Sequence, residues 1–545
     1  MSTSDLIRRA HAFGDVDGDA VFTDFPSLGA LLTRRTEETP DAIFLRYFDD
    51  ETGETAEFSY AQFTRKVKRA AAYLISMGLT RGDCVATLST NHPMGAVLLF
   101  AGWTLGLIVA PQNVSEDDAR IGFILRDAGV KLLIAHPELL SRGNALAATN
   151  DNVRAVTFDE MRADVRDEIP QIDLRRDPAL LVYTSGTTGN SKGVLLTQYN
   201  LLMNARGTIE WYGIDRETCM MCVLPIHHVN GIVVTLLTTL FGGGRLILNR
   251  SFKVSTFWKR LADERVTIVS VVPTILQFLR EANEDISARD LSYFRHFVCG
   301  AGTLAVSLVE QFEAQFAVTV LHVYGLSETT AITCSLPPSL TQTERRYWFS
   351  QFGYPSIGAV LPYCEMAIHD ADGNALSTGT RGEIVIRGHF IMEGYFHRPD
   401  ANAETFKHGW FRSGDEGFFE RDANGRDYFF ITGRLKEIIN RGGVKYSPFE
   451  IEEVLLAIDG VKVGLAIAFD NDWYGEEIGA YVVRVDGATV TEADILAACR
   501  ARMPFAKCPK VVMFGAEVPV TVTGKYQRLK LKPLFAAFAK TQFRG

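Results

Sequence analysis

Cysteine is scarce in this chain. Eight cysteines among 545 residues are too few for a disulfide scaffold. The one C-x-x-C, Cys219-Met220-Met221-Cys222, has no second pair nearby to complete a four-ligand zinc site. Buried thiols in a reducing compartment are expected. Long apolar runs are also lacking. A long uncharged and mostly apolar stretch, residues 94–110, holds three glycines and stops before Pro111. A bilayer span needs about 20 apolar residues, so a buried helix followed by a strand fits better and no membrane span is expected. The opening Met1-Ser2-Thr3-Ser4-Asp5 has no signal-peptide apolar core, and the closing Gln542-Phe543-Arg544-Gly545 has no lipidation or peroxisomal address. These features point to a cytoplasmic protein. Excess positive charge is missing as well: the net charge is −9. That argues against a nucleic-acid scaffold while leaving room for a local basic site. Repeats and low-complexity tracts are absent.

What remains is ordinary globular composition, with 47% hydrophobic and 22% charged residues. The length suggests three or four compact units. Short apolar runs at 221–224, 267–272, 297–299 and 318–323 alternate with helical patterns at 257–264 and 304–316. This rhythm predicts an α/β fold with a largely parallel sheet. Character changes near Arg434. After it come a Gly-Gly loop, a helix, strand-like runs at 463–469 and 478–485, another helix and a last strand. The first helix is announced by Ser447 as N-cap, Pro448 at the first helical position and Glu450 as capping-box partner. The expected division is a large N-terminal domain of layered α/β subdomains at 1–435 and a small α+β domain at 436–545.

The densest chemical signal is Tyr183-Thr184-Ser185-Gly186-Thr187-Thr188-Gly189-Asn190-Ser191-Lys192-Gly193-Val194. Glycines allow close backbone approach, hydroxyls and backbone N–H groups can bond phosphate oxygens, and Lys192 adds a positive charge. The segment reads as a phosphate cradle. It is not the G-x-x-x-x-G-K-[ST] loop of kinases and GTPases, because its lysine precedes a glycine and no hydroxyl residue follows.

Four further segments follow in order: His322-Val323-Tyr324-Gly325-Leu326-Ser327-Glu328-Thr329-Thr330, Trp410-Phe411-Arg412-Ser413-Gly414-Asp415, Ile431-Thr432-Gly433-Arg434-Leu435-Lys436-Glu437, and Pro519-Val520-Thr521-Val522-Thr523-Gly524-Lys525. With the phosphate loop, this series resembles the adenylate-forming superfamily: acyl-CoA synthetases, stand-alone adenylation domains of peptide synthetases and beetle luciferases. The likeness runs from about residue 25 to about residue 534.

The resemblance implies ATP, Mg²⁺ and CoA as cofactors and a small-molecule carboxylic acid as substrate. Thr184, Ser185, Gly186, Thr187, Thr188 and Lys192 would hold the β- and γ-phosphates. Glu328 would bind Mg²⁺, as a hard oxygen ligand should. Tyr324, Gly325 and Ser327 would flank the nucleotide, with Ser327 standing where the family usually has threonine. Gly300-Ala301-Gly302 resembles the small-residue segment under the adenine and acyl group. Asp415 would take the ribose hydroxyls, and Arg434 the same sugar or a phosphate. Lys525 would enter the site and bridge the α-phosphate and the attacking carboxylate. Gly442 and Gly443 match the loop lining the pantetheine tunnel. Lys436 stands at the hinge about which the small, mobile domain would turn between half-reactions.

The segment Pro225-Ile226-His227-His228-Val229-Asn230-Gly231 lacks the aspartate that binds an α-ammonium in peptide-synthetase domains, which argues against an amino-acid substrate. His228 matches an aromatic or histidine gate of acyl-CoA synthetases. Arg345-Arg346 lies before Pro355-Ser356-Ile357-Gly358 and reads as a solvated pair. An acid–CoA ligase is the favoured reading. A ligase loading a carrier protein's phosphopantetheine arm shares these motifs, as does a luciferase-like oxygenase. A nucleotide-binding regulator without catalysis would not need Lys525, Asp415, Glu328 and Arg434 together. No nucleic-acid partner is expected, and a homodimer is left open.

Overall fold

The computed structural model describes residues 1–161, 172–184, 191–302, 304–520 and 526–544. The described strands form three sheets. The centre of the largest is parallel: Ile43–Phe48, Arg245–Asn249, Cys219–Cys222, Ile268–Val271, His296–Cys299 and Val320–Tyr324 lie side by side. Parallel neighbours need long crossovers, and helices Val254–Asp263, Pro273–Ala282 and Val306–Phe316 supply them. Val254–Asp263 buries Phe257, Trp258 and Leu261, one stripe at helical spacing.

From Cys334 to Arg434 the pairing turns antiparallel. The expected largely parallel sheet therefore holds only as far as Tyr324. Beyond it, connections such as that from Cys364–His369 to Gly382–Gly388 carry no crossover helix, so adjacent strands reverse. The run expected at 221–224 lies two residues earlier, at Cys219–Cys222, where all four side chains are buried.

A second sheet, of seven strands, contains Pro178–Thr184 paired antiparallel with Lys192–Thr197, and Gly394–Tyr395 closes one edge. The stretch expected to be a buried helix and strand is one: Pro93–Thr104 is buried along nearly its whole length, and Ile108–Gln112 follows in this sheet. No helix among the described residues is long and apolar enough to cross a membrane. All eight cysteines are free and buried, as expected.

The third sheet holds five strands, with Ile439–Arg441, Val444–Tyr446, Val461–Asn471 and Gly475–Arg484 antiparallel and Val511–Phe514 parallel to the last of these. Among the described residues, buried apolar side chains fall into clusters confined to 10–430 and clusters confined to 439–535. Helix Pro448–Leu456 begins as the sequence indicates, with the Ser447 side chain accepting from Phe449 N. Glu450 is not its capping-box partner. Its carboxylate instead meets Tyr354, Arg381 and Lys507, since a charged guanidinium and ammonium compete better for it than the N-cap amide.

Candidate active site

Three adjacent parallel strands end beside one cavity of about 200 Å³, which is lined by Pro273, Ala301, Gly302, Tyr324, Asp415 and Arg434 among others. The carboxyl ends of parallel strands are where open α/β sheets place ligands. The small residues here are required by geometry. A Cβ on Gly325 would overlap the Ala331 carbonyl, and one on Gly300 would lie 2.5 Å from the Val323 carbonyl oxygen. One non-glycine residue of the cavity lining, Ala301, adopts positive φ, at +64°. Such backbone at a residue with a Cβ stores about 1–3 kcal/mol and concentrates at functional sites.

Asp415 and Arg434 are directly opposite each other across an antiparallel strand pair. This register explains why residues so far apart in sequence meet. Arg434 Nε forms an ion pair with Asp415 Oδ1 at 2.8 Å, and the Tyr324 hydroxyl donates to Asp415 Oδ2 at 2.7 Å. Asp415 is only 3% exposed, so its charge is held by these two partners rather than by water. The Asp415 charge holds the Arg434 guanidinium pKa above its ordinary value, with Tyr324 and Glu328 contributing further. Burial, followed by the Asp415 charge, keeps the Tyr324 hydroxyl well above the usual phenol range. It is therefore a neutral donor.

Glu328 sits in the single turn Ser327–Thr329 just past the strand that ends in Tyr324. Its Oε1 accepts from the Tyr395 hydroxyl at 2.9 Å. Among the described residues no hydrogen bond engages Oε2. Burial first, then the Glu328 charge, pushes the Tyr395 hydroxyl pKa up, so Tyr395 also donates as a neutral phenol. Lys192 opens strand Lys192–Thr197, and its Nζ lies 4.6 Å from the centre of the Tyr395 ring. Tyr395 was not singled out from the sequence. A Gly-Tyr pair is common, and only its distant partners give it meaning.

Residues from beyond Lys436 close the cavity on another side: Glu437, Phe449, Glu453, Tyr526 and Arg528. Arg528 is buried and bidentate to Glu452, at 2.8 and 2.7 Å, with a third bond of 2.9 Å to Glu437. Burial raises the pKa of Glu453, whose Oε1 accepts from Val306 N at 3.3 Å.

Of the residues expected from the sequence, the cavity brings together Ala301, Gly302, Tyr324, Gly325, Asp415 and Arg434. Gly300, Ser327 and Glu328 adjoin it along the chain. Thr184 ends strand Pro178–Thr184, and its hydroxyl reaches the Lys192 carbonyl at 3.5 Å. Ser185, Gly186, Thr187, Thr188 and Lys525 lie outside the described residues. Lys436 is exposed in a turn. Gly442 and Gly443, with φ of +60° and +85°, form the two-residue turn of hairpin 439–446, away from the cavity lining. Positive φ at both positions is what such a tight hairpin turn requires.

His228 is half-buried, its ring 4.5 Å from that of His227. Burial holds His227 well below the ordinary histidine pKa, so it is neutral. Asn91 fixes this turn: its Oδ1 accepts from Ile226 N at 2.7 Å and its Nδ2 donates to the Leu224 and Asn249 carbonyls at 3.0 Å. Arg345 is not solvated as expected; it is mostly buried, donating to the Leu340 carbonyl at 2.9 Å, whereas Arg346 is 72% exposed.

The AMP-binding enzyme family model matches residues 32–396 and the AMP-binding enzyme C-terminal domain model matches residues 450–525. The chain belongs to the AMP-binding enzymes of the adenylate-forming superfamily. This enzyme is 34% identical over 529 residues to the sulfoacetate–CoA ligase of Cupriavidus necator, covering 93% of this chain and 97% of that one. It is 31% identical to the oxalate–CoA ligase of Arabidopsis thaliana, covering 93% and 98% respectively. Among solved structures, ATP-bound MatB from Rhodopseudomonas palustris superposes with a TM-score of 0.84 at 26% identity, covering 94% of this chain and all of that one. The mixed α/β fold of a large N-terminal part and a smaller C-terminal part agrees with that expected from the sequence.

Proposed function

We propose that the enzyme is an ATP-dependent acid–CoA ligase: it joins a carboxylic acid to AMP with release of pyrophosphate, then passes the acyl group to CoA. The observation that carries this reading is the buried Asp415 carboxylate, aimed into the cavity between Tyr324 and Arg434. A carboxylate with two acceptor oxygens suits a pair of ribose hydroxyls. The relatives set out above are named as CoA ligases, which favours CoA over a carrier-protein arm.

A carboxylate makes a poor acyl donor until its oxygen is converted into a good leaving group. The acid itself attacks the α-phosphorus, so the chain need supply no nucleophile. It must hold two anions together and stabilise the charge that develops. Asp415 and Arg434 would fix the ribose. Tyr324, Gly325, Ser327 and Gly300-Ala301-Gly302 would enclose the adenine and acyl group. Thr184, Ser185, Gly186, Thr187, Thr188 and Lys192 would hold the β- and γ-phosphates, and Lys525 would neutralise the α-phosphate as the bond forms.

Glu328 fits a Mg²⁺ ligand: it is a half-buried carboxylate with one oxygen oriented by Tyr395 and the other unengaged among the described residues. A bound Mg²⁺ would draw charge from the phosphates. His228 would gate the acyl side. We assign residues 1–435 to the large domain and 436–545 to the small one, supported by the separation of the apolar clusters. The small domain would turn about Lys436 and present Gly442 and Gly443 to the pantetheine arm for the second half-reaction. Work in the cytoplasm, as a monomer or homodimer, is consistent with this chemistry.

The test is exchange of labelled pyrophosphate into ATP without CoA, across a panel of acids. The panel should begin with sulfoacetate and oxalate and continue to aromatic and fatty acids. Acid-dependent exchange is the expected result. Formation of ADP and phosphate instead would overturn the reading. Thioester formation on adding CoA alone would separate CoA from a carrier protein as acceptor.

A further inference from the structure

We propose that Tyr395 is a positioning residue that sets Glu328 and Lys192 against each other and so fixes the geometry of the metal–triphosphate end of the site. The proposal rests on Glu328 as metal ligand and Lys192 as phosphate-binding lysine. These two residues come from different layers. Glu328 follows a strand of the thirteen-stranded sheet, and Lys192 opens a strand of the seven-stranded one. Residues 392–396 strap the two layers together. Met392 N donates to the Glu328 carbonyl at 2.9 Å, Glu393 N to the Leu195 carbonyl at 3.0 Å and Phe396 N to the Gly193 carbonyl at 2.7 Å. Within this strap Gly394 and Tyr395 pair with Leu195 and Val194.

The side chain of Tyr395 does what its backbone does. Its hydroxyl reaches Glu328 and its ring face lies under the Lys192 ammonium. The residue is held firmly for this task. Asn402 clamps both of its backbone polar groups, accepting from Tyr395 N at 2.6 Å and donating to the Tyr395 carbonyl at 3.0 Å. Gly394 has φ of +137°, and a Cβ there would crowd Asn402. The backbone leading into Tyr395 is therefore reserved for glycine. A partner that orients a metal-binding carboxylate is worth about 10–100-fold in metal affinity. A cation over an aromatic face is a weaker, separable contact.

The two contacts can be removed one at a time. Tyr395→Phe removes the hydroxyl and keeps the ring; Tyr395→Leu removes both. The measurements are calorimetric ATP affinity in EDTA, the same affinity in Mg²⁺, the Mg²⁺ titration of pyrophosphate exchange, and a melting curve for each variant. Tyr395→Phe is expected to leave ATP affinity in EDTA within about twofold of the parent and to raise the Mg²⁺ midpoint about tenfold or more. Tyr395→Leu should in addition weaken ATP binding in EDTA several-fold. An unshifted Mg²⁺ midpoint in a folded Tyr395→Phe protein would overturn the proposal, as would equal losses in both variants. If the leucine variant fails to fold, the phenylalanine variant decides alone. Glu328→Gln keeps the underlying reading separate. A shifted Mg²⁺ curve for Glu328→Gln with an unshifted one for Tyr395→Phe removes only the role of Tyr395. An unshifted curve for Glu328→Gln removes the metal assignment and this proposal with it.

Discussion

Replacing Asp415 by asparagine keeps the shape of the side chain and removes its charge. If Asp415 receives the ribose hydroxyls, two charge-assisted hydrogen bonds are lost as such. A hydrogen bond to a charged group contributes about 1.5–3 kcal/mol, and a neutral one about half as much. The pair should therefore weaken ATP binding by about 1.5–3 kcal/mol, or roughly 10- to 150-fold. The structural loss is smaller. Tyr324 still finds an oxygen acceptor at the asparagine, and the Arg434 side chain is 39% exposed, so water screens its lost partner and that pair accounts for only about 0–1 kcal/mol. The variant should fold. The decisive assay compares ATP with 2′,3′-dideoxy-ATP by calorimetry. The parent should prefer ATP strongly, because a site built to bond hydroxyls rejects an analogue without them. In Asp415→Asn that preference should shrink by the same factor as the affinity for ATP. A variant that binds ATP weakly yet keeps the full preference for the ribose hydroxyls would refute the assignment.

Lys525→Ala should slow acid-dependent pyrophosphate exchange on the order of 10²-fold or more with little change in melting temperature; an unchanged exchange rate would show that another group stabilises the α-phosphate. Gly443→Leu should keep exchange and lose thioester formation. Gly443→Ala serves as control, since at φ of +85° any side chain meets the same backbone strain while only the longer one fills a tunnel; equal effects in both variants, or none, would remove the tunnel assignment. His296 is buried and its pKa is pushed down to about 3, chiefly by burial and then by Arg295 and Arg345. The unfolded chain therefore binds a proton near pH 6.5 that the folded chain refuses, so stability is lost as pH falls from about 6.5 towards 3, by about 2 kcal/mol at pH 5. His296→Phe should reduce the drop in melting temperature between pH 7 and pH 5; an identical drop in both proteins would show that other groups set the acid sensitivity.

The parts of the site legible in sequence are those where one short segment carries the chemistry. The donors at 183–194 stood out by residue type and spacing, whereas the Gly-Leu-Ser-Glu turn and Asp415 stood out only through their match to a family pattern. Pairings across the fold were not legible. The Asp415–Arg434 ion pair depends on hairpin register, which a bulge between Glu416 and Gly417 alters by one residue. Tyr395 acquires its partners only when two sheets meet. Glu450 looked like a capping residue because local rules are blind to Arg381 and Lys507 arriving from elsewhere. Arg345 looked solvated because nothing near it in sequence announces Glu313. Helices and parallel strands up to Tyr324 followed from apolar periodicity. The antiparallel layer after Cys334 did not, because strand direction is set by connection geometry rather than by composition.

The separation of apolar clusters at 430 and 439 bears on the proposed rotation. Among the described residues, polar contacts cross from one side to the other: Glu450 to Tyr354 and Arg381, Val306 N to Glu453, and Ser447 to the Thr432 carbonyl. Each such bond contributes about 0.5–1.5 kcal/mol net, because water replaces it when it opens. An apolar seam of similar extent would lose about 25 cal/mol for every Å² it exposed and would recover nothing from solvent. Burial pushes the pKa of both Glu450 and Glu453 up, so these carboxylates sit against a desolvation penalty that opening relieves. Hydrogen bonds and partly desolvated charges can be exchanged for water in either direction at little net free energy. If the small domain turns as proposed, presenting Lys525 in one half-reaction and Gly443 in the next, a boundary of that kind is what the rotation needs.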